Sequence, residues 1–239
     1  MTLSAQQLSF SRGERELWRA LDVAVQPGDA VRVAGPNGCG KTSLLRILAG
    51  LALPNSGSVC WQGHNIRSLR EQYYVNLIYL GHAQGVKDDL LAWENLVMAA
   101  QLLGQKIAPE RAYQALAQIG LGAQAELPVR ALSQGQRKRV ALARLYLGLP
   151  QSLWILDEAF TALDVAAVAQ LEQRIDQHLA QGGMLIYTTH QEITLQHGRR
   201  RELDLARFDT AGGGVVVDGM ASECPANQGA SNQSAGGAW

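Results

Sequence analysis

The run GPNGCGKTS, from Gly35 to Ser43, restricts what this chain can fold into more than any other segment. It fills every fixed position of the pattern G-x-x-x-x-G-K-S/T, a loop whose inward-turned N–H groups cradle phosphate oxygens. Gly35, Gly38 and Gly40 free the backbone to curl, with Pro36, Asn37 and Cys39 between them. Lys41 adds a full positive charge, and Thr42 places a hydroxyl where Mg²⁺ can take it as a ligand. From Ser43 the residues SLLRILAGL have the apolar spacing of a helix, whose N-terminal dipole then faces the phosphates. Upstream, AVRVA at Ala30 to Ala34 reads as a short buried strand, so strand, loop and helix follow in the required order.

Two further patterns carry chemistry. In SLWILDEAFTALD, Ser152 to Asp164, the apolar run Leu153 to Leu156 reads as a strand through the core. It delivers Asp157 and Glu158 at its C-terminal end, where α/β folds gather their sites. Neighbouring strand side chains face opposite ways, so one carboxylate meets a metal while the next points elsewhere. In ALSQGQRKRVALARLYL, Ala131 to Leu147, Ser133 and Gln136 have the spacing of a capping box that opens a helix, and a helix N-terminus attracts anions. An ordinary capped helix explains Ser133 but not Gly135 followed by Gln136. Arg137, Lys138 and Arg139 read as a solvated helix face. One such cluster, in a chain with 21 basic and 21 acidic side chains, is a weak footprint for nucleic acid, and no nucleic-acid partner is expected.

The fold class expected is α/β: a P-loop NTPase core with a mostly parallel sheet, a β-rich N-terminal part and a helical subdomain insert. Residues 84–128 supply that insert through WENLVMAAQLLG and ERAYQALAQIGL. The core resumes with the strand ending at Asp157, a helix over Val165 to Gln181 and the strand MLIYTTH after Gly182-Gly183. One nucleotide-binding domain over 1–210 is followed by a Gly/Ser/Asn/Gln/Ala tail, 211–239, read as disordered for want of apolar residues to bury. No run approaches the ~18 to 20 apolar residues that cross a bilayer. No leader pattern stands at the N-terminus, so the chain is expected to stay in the cytoplasm. The cysteines and histidines show no ligand spacing, which leaves metal chemistry beyond Mg²⁺ unsupported.

With LSQGQ at Leu132 to Gln136 beside the phosphate loop and the paired carboxylates, the chain resembles the ATP-binding subunits of ABC transporters over about residues 3–205. The resemblance implies ATP as substrate and a role for each residue. Asp157 holds Mg²⁺ through water, and Glu158 polarises the attacking water. Asp164 is the D-loop aspartate, and His190, in YTTH, is the switch histidine at the γ-phosphate. It further implies a head-to-tail homodimer in which Ser133, Gly135 and Gln136 close over the ATP held by a second subunit.

Two departures narrow the resemblance. Counting back from Glu94 to Leu96, the place of the Q-loop glutamine is held by His82. The place of the adenine-stacking aromatic is held by Arg12, whose planar guanidinium can stack on a base, with Phe10 as a nearby alternative. Together with LGHAQGVKDDLLAWENL, LWILDEAFTALD and LIYTTHQE, these features resemble the CcmA family, the ATP-binding subunits of cytochrome c biogenesis haem exporters. That family's usual LSAGQ and DEPF differ here at Gln134 and Ala159. The implied partners are a membrane subunit like CcmB, with CcmC and CcmD in the wider complex, at the cytoplasmic face of the bacterial inner membrane. The implied work is export of haem or release of a haem-loaded chaperone. An ABC subunit for another cargo, and a soluble nucleic-acid-associated ABC ATPase, are the rival readings.

Overall fold

A computed structural model describes residues 1–81 and 85–208. Strands β1 (Leu3–Arg12) and β2 (Arg15–Val25) form a hairpin whose inward residues, Leu3, Ala5, Leu8, Leu21, Val23 and Val25, are buried. With β4 (Ser56–Trp61) and β5 (His64–Asn65) they make an antiparallel sheet in the order β2-β1-β4-β5. The second sheet has the order β6-β7-β8-β3-β9, built from β3 (Asp29–Ala34), β6 (Leu77–Leu80), β7 (Leu153–Asp157), β8 (Met184–Thr188) and β9 (Arg199–Asp204). All of its pairings are parallel, as expected from strands alternating with helices.

The parallel sheet separates two cores by simple alternation. On one face Val31, Val33, Leu153, Ile155 and Ile186 pack with α1 (Lys41–Leu48) and the antiparallel sheet. On the other, Trp154, Leu156, Leu185 and Tyr187 pack with α6 (Val165–Ala180) and a helical layer of α3 (Ala92–Leu102), α4 (Pro109–Gln118) and α5 (Gln134–Ala143). A short α2 (Arg70–Tyr74) precedes β6, and Tyr73 ties it to α1 by donating to Leu48 O at 2.6 Å. Buried Asn95 in α3 accepts from Lys87 N at 2.7 Å and donates to Leu91 O at 3.0 Å, fixing the entry to the helical layer. At the far end of α6, His178 is stacked on Trp154 with centroids 3.8 Å apart and planes 4° from parallel. Its Nε2 lies 3.2 Å from Met184 O, and burial pushes its pKa down to about 4.

Strand β9 is the element that the sequence pattern conceals. RRRELD has one fully buried apolar residue, Leu203, and no alternation to read. It pairs in parallel with β3 along its whole length, and from that edge Arg199 and Arg201 reach buried Asp29, at 2.9 and 3.1 Å. The expected tail, 211–239, and its boundary at 210 lie outside the described residues. No helix among the described residues is long and apolar enough to cross a membrane.

Candidate nucleotide site

The phosphate loop leaves β3 at Ala34 and enters α1 at Lys41 through three left-handed glycines, Gly35 (φ 136°), Gly38 (φ 81°) and Gly40 (φ 97°). Two of them also lack room. A Cβ on Gly35 would lie 2.7 Å from Cys39 Sγ, and one on Gly40 would lie 2.7 Å from Trp18 Nε1. The loop therefore rests against β2, where Trp18 is itself stacked on Phe10 at 5.6 Å. Phe10 is engaged in that stack, whereas Arg12, at the end of β1, is exposed. Lys41 Nζ donates back to Gly35 O at 2.8 Å and Pro36 O at 3.1 Å, placing its charge across the mouth of the loop. Pro36, Asn37, Gly38 and Thr42 are exposed, and Ser43 is half-buried in the first turn of α1.

Strand β7 ends at Asp157, which is buried. Its Oδ1 accepts from Thr188 Oγ1 at 2.7 Å. Its Oδ2 is buried without a hydrogen-bond partner. A carboxylate oxygen left unpaired in the interior is costly, so this atom calls for a cation or a water. Mg²⁺ takes hard oxygen ligands, and Asp157 Oδ2 with the exposed Thr42 hydroxyl makes a donor set of that type.

Glu158 sits one residue past the strand in a left-handed conformation, φ 51°. Three contacts fix it. Its N–H donates to Thr188 Oγ1 at 2.9 Å, its carbonyl accepts from Lys138 Nζ at 2.5 Å, and its Oε1 lies 3.3 Å from His190 Nε2. Thr188 thus accepts from one acidic residue's amide and donates to the other's carboxylate, which locks their relative orientation. A cavity of about 170 Å³ opens beside them, lined by Leu80, Gly81, Lys138, Asp157 and Glu158 among others.

Helix α5 opens as the capping pattern predicts. Gln136 N–H donates to Ser133 Oγ at 3.2 Å and Ser133 N–H to Gln136 Oε1 at 2.9 Å. Gly135 follows within the first turn, where a Cβ would lie 3.5 Å from Ala162 O. Asp164 caps α6 by accepting from Ala167 N–H at 2.8 Å and also pairs with Arg139. The Ala167 amide first, and then Arg139, hold its carboxyl below the usual carboxylate range.

The basic run is not the solvated face its composition suggests. Arg137 donates to Arg130 O at 2.8 Å and Leu132 O at 3.1 Å, Lys138 to Glu158 O, and Arg139 to Asp164. The structure therefore brings Asp157, Glu158 and His190 together, joins the phosphate loop to Lys41, and sets Ser133, Gly135, Gln136 and Asp164 around α5 and α6. His82 lies outside the described residues. Thr188 and Lys138 escaped the sequence reading. The signal for Thr188 was a polar residue ending the otherwise apolar MLIYT, and for Lys138 it was a cation at a position facing the core side of α5.

The chain matches the ABC transporter family over residues 18–161. It is 51% identical over 190 residues to a protein of Aromatoleum aromaticum described as cytochrome c biogenesis ATP-binding export protein CcmA, covering 80% of this chain and 89% of the relative. The protein of the same description from Nitrosomonas europaea is 52% identical over 193 residues, covering 81% and 90%. The chain belongs to the CcmA family of ABC ATPases. The fold of this CcmA-family chain is also that of a putative ABC transporter ATP-binding protein from Pyrococcus furiosus. That likeness has TM-score 0.74 at 23% identity and covers 88% of this chain and all of the other. A dimeric bacterial ABC transporter cassette gives TM-score 0.73 at 22% identity, over 85% and 94%.

Proposed function

We propose that this ATPase powers a cytochrome c biogenesis export complex, hydrolysing MgATP between two copies of the chain. The support is the family, whose curated members carry that description, and the way Thr188 holds Asp157 and Glu158 around one hydroxyl. The phosphates lie in the nest at Gly35, Pro36, Asn37, Gly38, Cys39 and Gly40, with Lys41 released from its two carbonyls onto the β- and γ-phosphates. Mg²⁺ would be held by Thr42 and, through water, by Asp157, and would supply neutralisation of charge on the phosphate oxygens. Arg12 stacks on adenine.

In the reaction, the Glu158 carboxylate accepts a proton from water as the water oxygen forms its bond to the γ-phosphorus. The bond from that phosphorus to the β,γ-bridging oxygen breaks, leaving ADP and phosphate. His190, beside Glu158 Oε1, orients that carboxylate and donates to the γ-phosphate. Ser133, Gly135 and Gln136 at the start of α5 close over the nucleotide of the second copy, near Asp164. The family resemblance carries this reading, and the anion affinity of a capped helix N-terminus is consistent with it.

The cargo-facing half of the machine lies in the partners: a membrane subunit resembling CcmB, with CcmC and CcmD in the wider complex. The ATPase docks to them on the cytoplasmic face of the inner membrane. His82, at the Q-loop position, sits on the coupling path, and the process delivers haem for attachment to apocytochrome c. The decisive experiment replaces the gene with one encoding Glu158→Gln. The variant binds MgATP, turns over roughly 10²- to 10⁴-fold more slowly, and leaves the cell without holo-cytochrome c while other haem proteins are normal. Near-normal hydrolysis removes Glu158 from the role. Intact c-type cytochromes in a deletion strain with no second maturation route remove the haem-export assignment.

A further inference from the structure

Glu158 occupies a backbone conformation that L residues avoid, φ 51°, at the mouth of the nucleotide site. A non-glycine residue there persists only when its surroundings hold it. Its N–H side is held by Thr188, from the neighbouring strand β8. Its carbonyl side is held by Lys138 Nζ, from α5. Lys138 stands in the second turn of α5, with Ala141 and Leu142 of the same helix lining the same cavity. Half-buried there, it gives up water to make this contact. Burial lowers its pKa, against the opposing pull of Glu158 and Asp157. A lysine on a solvated face would keep its hydration; this one gives up part of it for a hydrogen bond to a carbonyl two bonds from the Glu158 Cα.

We infer that Lys138 is a positioning residue that fixes the direction of the Glu158 carboxylate by holding the Glu158 carbonyl. The ammonium acts through the peptide, by its hydrogen bond to the Glu158 carbonyl. Without that hydrogen bond Glu158 relaxes out of the left-handed region by rotation about φ, which turns its Cα–Cβ bond relative to the N–H that Thr188 holds. Oε1 then leaves its place beside His190 and loses the water it is to deprotonate. Because the donor is carried on α5, the helix that opens at Ser133, any displacement of α5 along its axis moves Nζ relative to Glu158 O. The inference rests on Glu158 as the base.

The test compares Lys138→Met, which keeps the aliphatic stem and removes the donors, with Lys138→Arg, which restores a donor. Both are made in the full chain, alone and combined with Glu158→Gln. Lys138→Met lowers kcat roughly 10- to 100-fold, the size expected for one charge-assisted hydrogen bond felt in the transition state. KM and MgATP affinity stay within about twofold, and Lys138→Arg recovers most of the rate. In the Glu158→Gln background, Lys138→Met brings no further loss, because the carboxylate it positions is already gone. Unchanged kcat in Lys138→Met overturns the inference, as does a rise in KM that matches the fall in kcat/KM. A further multiplicative loss on top of Glu158→Gln also overturns it, since Lys138 would then act elsewhere. If Glu158→Gln alone hydrolyses normally, it is the assignment of the base that fails, and the two failures are read from different variants.

Discussion

Acid should unfold this protein through one buried ring, His178. The ring is stacked on Trp154 and approached by the Arg174 guanidinium, which lies 5.1 Å from the Trp154 centroid. Its pKa falls from 6.5 to about 4, chiefly because burial disfavours the charged form. The folded-state value is therefore below the unfolded one. Above pH 6.5 both states are neutral and the full stability is present. Between 6.5 and about 4 the unfolded chain takes up a proton that the folded chain refuses, so stability is lost as pH falls across that window. The linkage relation gives a loss of about 2 kcal/mol by pH 5 and about 3 kcal/mol in all. Urea unfolding of the wild type and of His178→Gln at pH 7.5 and pH 5 isolates this contribution from the carboxylates, which titrate alike in both. The wild type should lose about 2 kcal/mol more than the variant over that interval, although the variant is less stable at pH 7.5. Equal pH dependence in the two proteins refutes the argument that His178 is held neutral.

Two further outcomes follow from the phosphate loop. Cys39 is a free thiol inside it, so alkylation there should block ATP binding, bound MgATP should slow the labelling, and Cys39→Ala should bind ATP yet resist the reagent. Equal labelling rates with and without nucleotide would count against that placement. Gly40→Ala must accommodate a methyl group 2.7 Å from Trp18 Nε1 at φ 97°, and should weaken MgATP binding at least tenfold by titration while the fold survives; unchanged affinity would show that the loop does not need this curvature.

The parallel sheet, the phosphate loop and the two carboxylates were legible because each depends on local order: an apolar run, a fixed glycine spacing, a pair of acids at a strand end. What the chain does at longer range was not. Strand β9 is held by Arg199 and Arg201 on an aspartate about 170 residues away in sequence, and no window of six residues reports that. Arg137, Lys138 and Arg139 look like solvent-facing charge because composition carries no information on which carbonyl a long side chain will find. Thr188 was hidden for the same reason: its importance comes from a neighbouring strand, where Asp157 pairs with it in register.

Strand β7 has a consequence for how this protein can change over time. Leu153 and Ile155 fill one core, Trp154 and Leu156 the other, and Asp157 and Glu158 come next in the count. A single residue inserted in that strand would switch the face of every strand residue after it and bring Asp157 out where Glu158 now stands. Loops elsewhere can grow or shrink by drift; this segment can be altered only in steps of two, or by substitution in place. The strand works as a ruler, and its length is as much a part of the enzyme's chemistry as the acids at its end.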